Sequence, residues 1–449
     1  MSLLPTANTA TEPPTPTIHL EGSPAQIGKM WGRINRQPIV HDLEAFFLTP
    51  ARAARTAEGD LLRQSARFTK IVEEVAPHWL EEAAATATAA GVDQGLYTAF
   101  LAGVYRNLFL HPECTSYAVM PAFARDNAIF FHKTRDNVDK AQSAFVMSSK
   151  VKRVNKFIAT SDASVLACMM MVNDKGLAGS ADYPGGLRPN AASPVYRGMT
   201  NPFLLRYIAE KAADCTDALN IIHDFVGRGY YAGGDVNETH WLFVDRKGVI
   251  LEVSNNANHV ASKVHAEKVY FSRLQDSPAA NRIREAGRPI DFALFHGVSR
   301  DPSICLDTSI SGMTVEIDAA CPKLFTCAWI ALPAHALSFP LLMGQQGTPL
   351  CLINGAAYGI GKTLSGRQML WEAIEATVHS GKNLLRDKLM AAEFADAPQR
   401  VVDIIDQWTN EQSAMILKVL EALQCMLPED GRTAEPTGSR DGVPAARDP

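Results

Sequence analysis

The sequence predicts an α+β protein, and two observations carry that prediction. Apolar residues recur with helical spacing from Ile18 to about Leu110, and from Cys114 the character switches to short β-branched and aromatic runs. Beyond Gly366 the spacing is helical again, so a strand-rich centre lies between helical flanks.

Met1 to Thr17 is rich in Thr, Pro and Ala, without a basic start or an apolar stretch, and reads as a disordered lead-in (residues 1–17). Residues 18–113 form a helical N-terminal segment. Within it, Ser23-Pro24-Ala25-Gln26 is a capped helix start with Pro at the first helical position, and Leu61 to Val75 and Trp79 to Ala90 follow as helices. Gly91-Val92-Asp93 stops one helix and restarts another over Gln94 to Phe109. Pro112 then disfavours helix, and Cys114-Thr115-Ser116-Tyr117-Ala118-Val119 opens the strands.

The core, residues 114–365, has strands at Ser116 to Met120, Ile129 to His132, Val165 to Val172, Trp241 to Val244, Val249 to Val253, Thr314 to Ile317 and Phe325 to Ile330. Pro202 to Glu210 and Cys215 to Gly227 are amphipathic helices, and Asp245-Arg246-Lys247-Gly248 is a hairpin turn. C-terminal helices are expected over residues 366–427, at Met369 to His379, Leu384 to Ala392 and Val401 to Met426, before a disordered tail, 428–449.

Composition narrows the function. The chain has 449 residues, 47% hydrophobic and 20% charged, with a formal net charge of -5, which argues against a nucleic-acid surface and favours a small-molecule substrate. No apolar run approaches the ~18 residues that span a bilayer. Eight scattered cysteines, without CxxC pairs or zinc-ligand spacing, suggest a reducing cytoplasm and no metal. Gly355 stands one residue too far from Gly361-Lys362-Thr363 for a phosphate loop.

Cys114 is the candidate nucleophile. The turn residues Ala124-Arg125-Asp126-Asn127 fold the second strand back, placing His132-Lys133-Thr134-Arg135-Asp136-Asn137 beside the sulfur. A thiol needs a base or a positive neighbour to ionise near neutral pH. His111 and His132 are candidate bases within an uncut chain. Alternatively, cleavage before Cys114 frees its own α-amine, which titrates near ~8. Lys133 and Arg135, two apart, share a strand face.

Along the chain stand Leu20-Glu21-Gly22-Ser23-Pro24-Ala25-Gln26-Ile27-Gly28, Glu81-Glu82 through Asp93, and Cys114-Thr115-Ser116. Lys133-Thr134-Arg135-Asp136, Asn173-Asp174-Lys175-Gly176-Leu177 and Ser303-Ile304-Cys305 follow. In this order the motifs resemble the acyl-coenzyme A:6-aminopenicillanic acid acyltransferase family of N-terminal nucleophile hydrolases. The resemblance implies a four-layer αββα sandwich, a precursor cut between Glu113 and Cys114, and a Cys114 thiolate that attacks an amide or thioester carbonyl. It implies that Asp136 orients the new amino group, that Lys133 or Arg135 supplies positive charge, and that Asn173 and Arg282 serve substrate or oxyanion binding. No cofactor follows from it, though an acyl-coenzyme A co-substrate fits, and the partners are the two chains of one precursor, alone or as a homo-oligomer. Three departures stand out: Glu113 precedes the nucleophile where relatives have a small residue, Thr134 replaces an Asn, and Lys268-Val269-Tyr270-Phe271 lacks the oxyanion Asn of the family's Thr-Asn-His-Phe segment. Asn255, Asn256 or Asn258 is left to substitute for it. The same departures allow a degenerate relative that binds or scaffolds without processing.

Overall fold

The computed structural model describes residues 17–103, 114–137, 140–182, 198–232, 239–355, 368–391 and 398–425. Residues 1–16 of the expected lead-in and the whole expected tail, 428–449, lie outside these residues, as do His111 and Glu113.

Among the described residues, fourteen strands build two sheets. The larger contains β1 (Thr17–Gly22), β4 (Gln142–Ser149), β5 (Phe157–Asp162), β6 (Met170–Asn173), β7 (Leu177–Asp182), β8 (Thr239–Asp245), β9 (Ile250–Asn255) and β10 (Val260–His265), in that spatial order. The smaller runs β11 (Val269–Phe271), β2 (Thr115–Val119), β3 (Ile129–Asp136), β12 (Ser309–Ile317), β13 (Cys327–Ala331) and β14 (Phe339–Leu342). Neighbours are antiparallel except β1 and β4, which are parallel.

Alternation along β4 shows how the layers stack. Ala144 and Val146 belong to the core that also contains Val119, Phe131 and Met313 of the smaller sheet, whereas Phe145 and Met147 pack with Trp31, Trp79 and Phe203 from helices. One face of the larger sheet therefore meets the smaller sheet and the other meets the helices Pro24–Ile34, His78–Ala90 and Asn201–Lys211. The smaller sheet's outer face is covered by Phe292–Val298, Gln368–Ala391 and Pro398–Cys425, giving the αββα sandwich.

The first helix begins as its sequence requires. Ser23 accepts from the Gln26 N–H at 3.3 Å, the Gln26 side chain returns to the Ser23 N–H at 2.9 Å, and Pro24 takes the first helical position. This helix crosses the 78–90 helix so closely that a Cβ on Gly28 would lie 2.1 Å from the Glu82 carbonyl oxygen, so only glycine fits there. The N-terminal segment is not wholly helical, because Thr17–Gly22 is a strand that extends the larger sheet. Residues 165–169, expected to start a strand, precede β6, and the two helices expected between Met369 and Ala392 are one, Gln368–Ala391.

Candidate functional site

Cys114 stands immediately before β2, and the β2–β3 ladder begins with the pair Thr115↔Thr134. The pairing places Cys114 opposite Arg135, as the hairpin reading expects, although two short 3-10 turns, 121–123 and 125–127, form the connection. Strand alternation sorts the side chains. Ser116 Oγ is 2.8 Å from Ser180 Oγ of β7, so the even-numbered positions of β2 face the larger sheet, and Cys114, two residues earlier, shares that face. The Tyr117 hydroxyl donates to the Phe295 carbonyl at 2.8 Å, so the odd positions face the helices.

In β3, Lys133 and Arg135 point between the sheets. Arg135 grips Asp162 with two nitrogens, at 2.6 and 3.3 Å, and donates to Gln142 Oε1 at 2.8 Å. Gln142 in turn donates to Asp162 at 2.7 Å, and Lys140 Nζ lies 4.0 Å from the same carboxylate. Burial opposes the Arg135 charge, but Asp162 and the sulfur of Cys114 more than offset it and raise its pKa. Burial likewise works against Asp162, and Arg135 and Lys140 hold it well below the carboxylate range. Lys133 is completely enclosed, bonded to the Asp182 carboxylate and, at 2.6 Å, to the Ala181 carbonyl. Both cations expected near the sulfur are thus in buried ion pairs, with only Arg135 directly opposite it.

Asp136 ends β3 at the same edge but on the other face, where it accepts from the Ser309 hydroxyl. Its charge is one reason Cys305, after burial, is pushed up to about 11. His132 also faces the helices, between Thr314 Oγ1 at 2.8 Å and Thr134 Oγ1 at 2.9 Å, and burial keeps its pKa well below the usual value. It does not face the thiol.

The structure does not bring Asn173 to this edge. It sits at the far end of β6, where its amide donates to the Ala209 and Ala212 carbonyls at 3.1 and 2.8 Å and its oxygen accepts from the Lys175 and Leu177 N–H groups. Arg282 is exposed on the Pro278–Arg284 helix and forms no ion pair among the described residues. Asn255 accepts from the Trp241 indole at 2.6 Å, and the Asn256 side chain closes its own turn by accepting from the Asn258 and His259 N–H groups. The segment matched to the missing oxyanion motif does lie beside the nucleophile strand: β11 pairs with β2, and Ser272 Oγ accepts from the Ser116 N–H at 2.9 Å.

Sequence reasoning missed Gln142, Asp162, Asp182 and Ser272. Each lies far along the chain from Cys114 in a stretch without a motif, and only the sheet pairing Gln142↔Asp162 and the stacking of the sheets bring them in. A cleft of about 730 Å³, lined by Arg125, Glu316, Asp318, His379 and Arg386 among others, opens at the opposite end of β3, roughly 23 Å of strand away. No cluster of metal-ligating side chains occurs among the described residues, and none of their helices is long and apolar enough to cross a membrane.

No family model and no curated sequence matches the chain. Among solved structures it is similar to penicillin V acylase from Agrobacterium tumefaciens, at 12% identity over 51% of this chain and 86% of that one, TM-score 0.35. It is also similar to the Caenorhabditis elegans orthologue of N-acylethanolamine-hydrolyzing acid amidase, at 12% identity over 47% and 94%, TM-score 0.33. A third is a conjugated bile acid hydrolase variant from Clostridium perfringens, at 10% identity over 51% and 92%, TM-score 0.32.

Proposed function

We infer that the chain is a self-processing cysteine amide hydrolase or acyltransferase that acts on a small N-acylated amine or an acyl thioester. The observation that carries this reading is the position of Cys114: it opens a strand flanked on both sides, faces the gap between the sheets and lies opposite a buried guanidinium. Cleavage of the Glu113–Cys114 bond leaves the nucleophile with a free α-amine. That amine takes the thiol proton, the thiolate attacks the substrate carbonyl, and the amine or thiol leaving group departs with a proton. Water or an acceptor amine then takes the acyl group from sulfur. Arg135 supplies a positive charge opposite the sulfur, and backbone N–H groups serve the oxyanion. Asp136 and the Lys133 ion pair brace the end of β3. The same geometry serves an amide or a thioester, so the choice between hydrolysis and transfer rests on whether water or an amine reaches the acyl-enzyme.

The test is the intact mass of the denatured protein beside that of Cys114→Ala. Two fragments meeting at Glu113/Cys114 in the wild type alone, with acylation of Cys114 by a thiol-directed acyl probe, are expected. A single full-length species that resists the probe would sink the reading in favour of a binding or scaffold protein. An uncut chain that still acylates would require a different base.

A further inference from the structure

A chain of acids and imidazoles runs between the sheets beneath the Cys114–Arg135 pair, and the reaction outlined above does not use it. It begins at the surface with Glu267, whose carboxylate is 3.0 Å from His265 Nδ1. His265 Nε2 is 2.8 Å from Glu252 Oε2, and Glu252 Oε1 is 2.9 Å from His240 Nε2. His240 Nδ1 is then 3.9 Å from Asp182 Oδ2. Asp182 ends the chain on Lys133, which stands opposite Ser116 in the β2–β3 ladder, two residues from Cys114 on the same strand face. Tyr270 from β11 closes the side: its ring stacks on His265 at 3.8 Å and its hydroxyl lies 3.3 Å from His240 Nε2. Every group except Glu267 is buried.

Hydrogen-bond logic fixes most of the protons. Burial opposes the Glu252 charge, but the two imidazoles and Tyr270 hold it well below the carboxylate range, so Glu252 only accepts. Both imidazoles therefore carry a proton on Nε2. The second nitrogen of His265 also meets a carboxylate. That of His240 does not, because 3.9 Å is too long for a hydrogen bond. His240 Nδ1 and Asp182 Oδ2 are both enclosed and both lack a hydrogen-bond partner. With Nδ1 unprotonated, two lone pairs face each other across that gap. A proton on Nδ1 converts the repulsion into a charge-assisted hydrogen bond, whose ordinary length of about 2.8 Å requires a movement of about 1 Å.

We propose that His240 is a positioning residue for the chemistry at Cys114: a proton taken from solvent onto its Nδ1 draws in Asp182, and Asp182 shifts Lys133 and the strand that carries the nucleophile. The inference rests on the reading of Cys114 as the reactive residue. The groups facing His240 are Asp182 from β7, Glu252 from β9 and Tyr270 from β11; Lys133 from β3 and His265 from β10 lie one step beyond.

Two measurements on the full chain test it. In the Cys114→Ala protein, which supports no acyl chemistry, the ¹⁵N shifts of the imidazoles and of the Lys133 ammonium are followed across about pH 5 to 8. His240 Nδ1 is expected to exchange its lone pair for a proton while the Lys133 signal moves with the same midpoint. A fixed protonation state at His240, or a Lys133 signal indifferent to it, overturns the proposal. In the wild type, the pH profile of Cys114 acylation is compared with that of His240→Gln, whose amide still donates to Glu252 but takes no second proton. Loss of one ionisation from the profile is expected, and superimposable profiles overturn the proposal. Should His240→Gln not fold, Glu267→Gln at the exposed end is expected to shift the same midpoint. A wild type inert at every pH would refute the enzymatic reading instead, and the shifts in Cys114→Ala would still decide the coupling of His240 to Lys133.

Discussion

Glu375 and Asp182 are equally enclosed carboxylates, 1% and 3% exposed, yet their oxygens end differently. Glu375, on the 368–391 helix, is saturated. It accepts from the Ser338 N–H and hydroxyl, each at 2.7 Å, and from two Arg300 nitrogens at 2.6 and 2.8 Å, with His296 Nε2 at 3.2 Å. Asp182 holds Lys133 with one oxygen and leaves the other without a hydrogen-bond partner, 3.9 Å from His240 Nδ1. A saturated carboxylate fastens one arrangement, because any movement breaks several bonds together. A carboxylate with one oxygen open has a second arrangement within reach of a single proton. The contrast separates the helical layer, where charge is structural, from the gap between the sheets, where Cys114 lies.

Breaking the fastened site should have the largest effect. Glu375→Gln leaves the Arg300 guanidinium buried without its counter-charge, which costs about 3–5 kcal/mol for a fully enclosed pair. The expected result is a large fall in the urea midpoint, with Cys114 acylation per folded molecule unchanged. A cost under about 1 kcal/mol would mean that Glu375 is no fastener, and the comparison would fail.

Asp162→Asn probes a pair between these extremes, because the sandwich edge leaves Arg135 and Asp162 side chains 7% and 10% exposed. The expected loss is about 2–3 kcal/mol, below the fully enclosed case. Its pH dependence has a definite sign. The folded-state value lies below the ordinary 3.8, so the pair's contribution is complete above about pH 4 and disappears as the pH falls through the folded value. Acid titration of wild type and Asp162→Asn should therefore converge at low pH, and parallel curves would remove Arg135–Asp162 from the account of acid stability.

These pairs show what a single sequence can display. The capped helix start at Ser23, the helix Cys215–Gly227 and the hairpin turn at Asp245–Gly248 are local, and each was legible because the residues that make it are adjacent. Strands β4 and β7 were not. Both their faces are buried, so Gln142–Ser149 shows no alternation of polarity, and Leu177–Asp182 is built of small residues with little β preference. At the candidate site, Cys114, Arg135 and Asp136 were legible as one hairpin, whereas Asp162 and Asp182 arrive from the other sheet and leave no local signal. Asn173 shows the opposite hazard: a motif-like Asn-Asp-Lys-Gly-Leu stretch is here a turn that anchors the end of the 201–211 helix. Asn173→Ala takes the acceptor from two N–H groups and leaves the Ala209 and Ala212 carbonyls to the Asn155 amide alone, and should cost about 2 kcal/mol. Acylation of Cys114 by the probe should be unaffected, and a selective loss of that reaction would return Asn173 to the site.

The smallest effect sharpens the comparison from a second buried nitrogen without a partner. His19 Nδ1 also lacks a hydrogen-bond partner, but Lys156 is near it where Asp182 is near His240. A proton is repelled there instead of invited. Burial first and Lys156 second lower the His19 pKa from 6.5 to about 4, against a weaker pull from Glu21. The unfolded chain therefore binds this proton first. The stability that His19 contributes is complete above about pH 6.5 and is lost progressively as the pH falls toward about 4. Allowing for its partial exposure, the change is about 1–2 kcal/mol. His19→Gln should flatten the urea midpoint across that window. A slope that survives the substitution would mean that another group titrates there, and that a buried nitrogen without a partner does not by itself make the fold sensitive to acid.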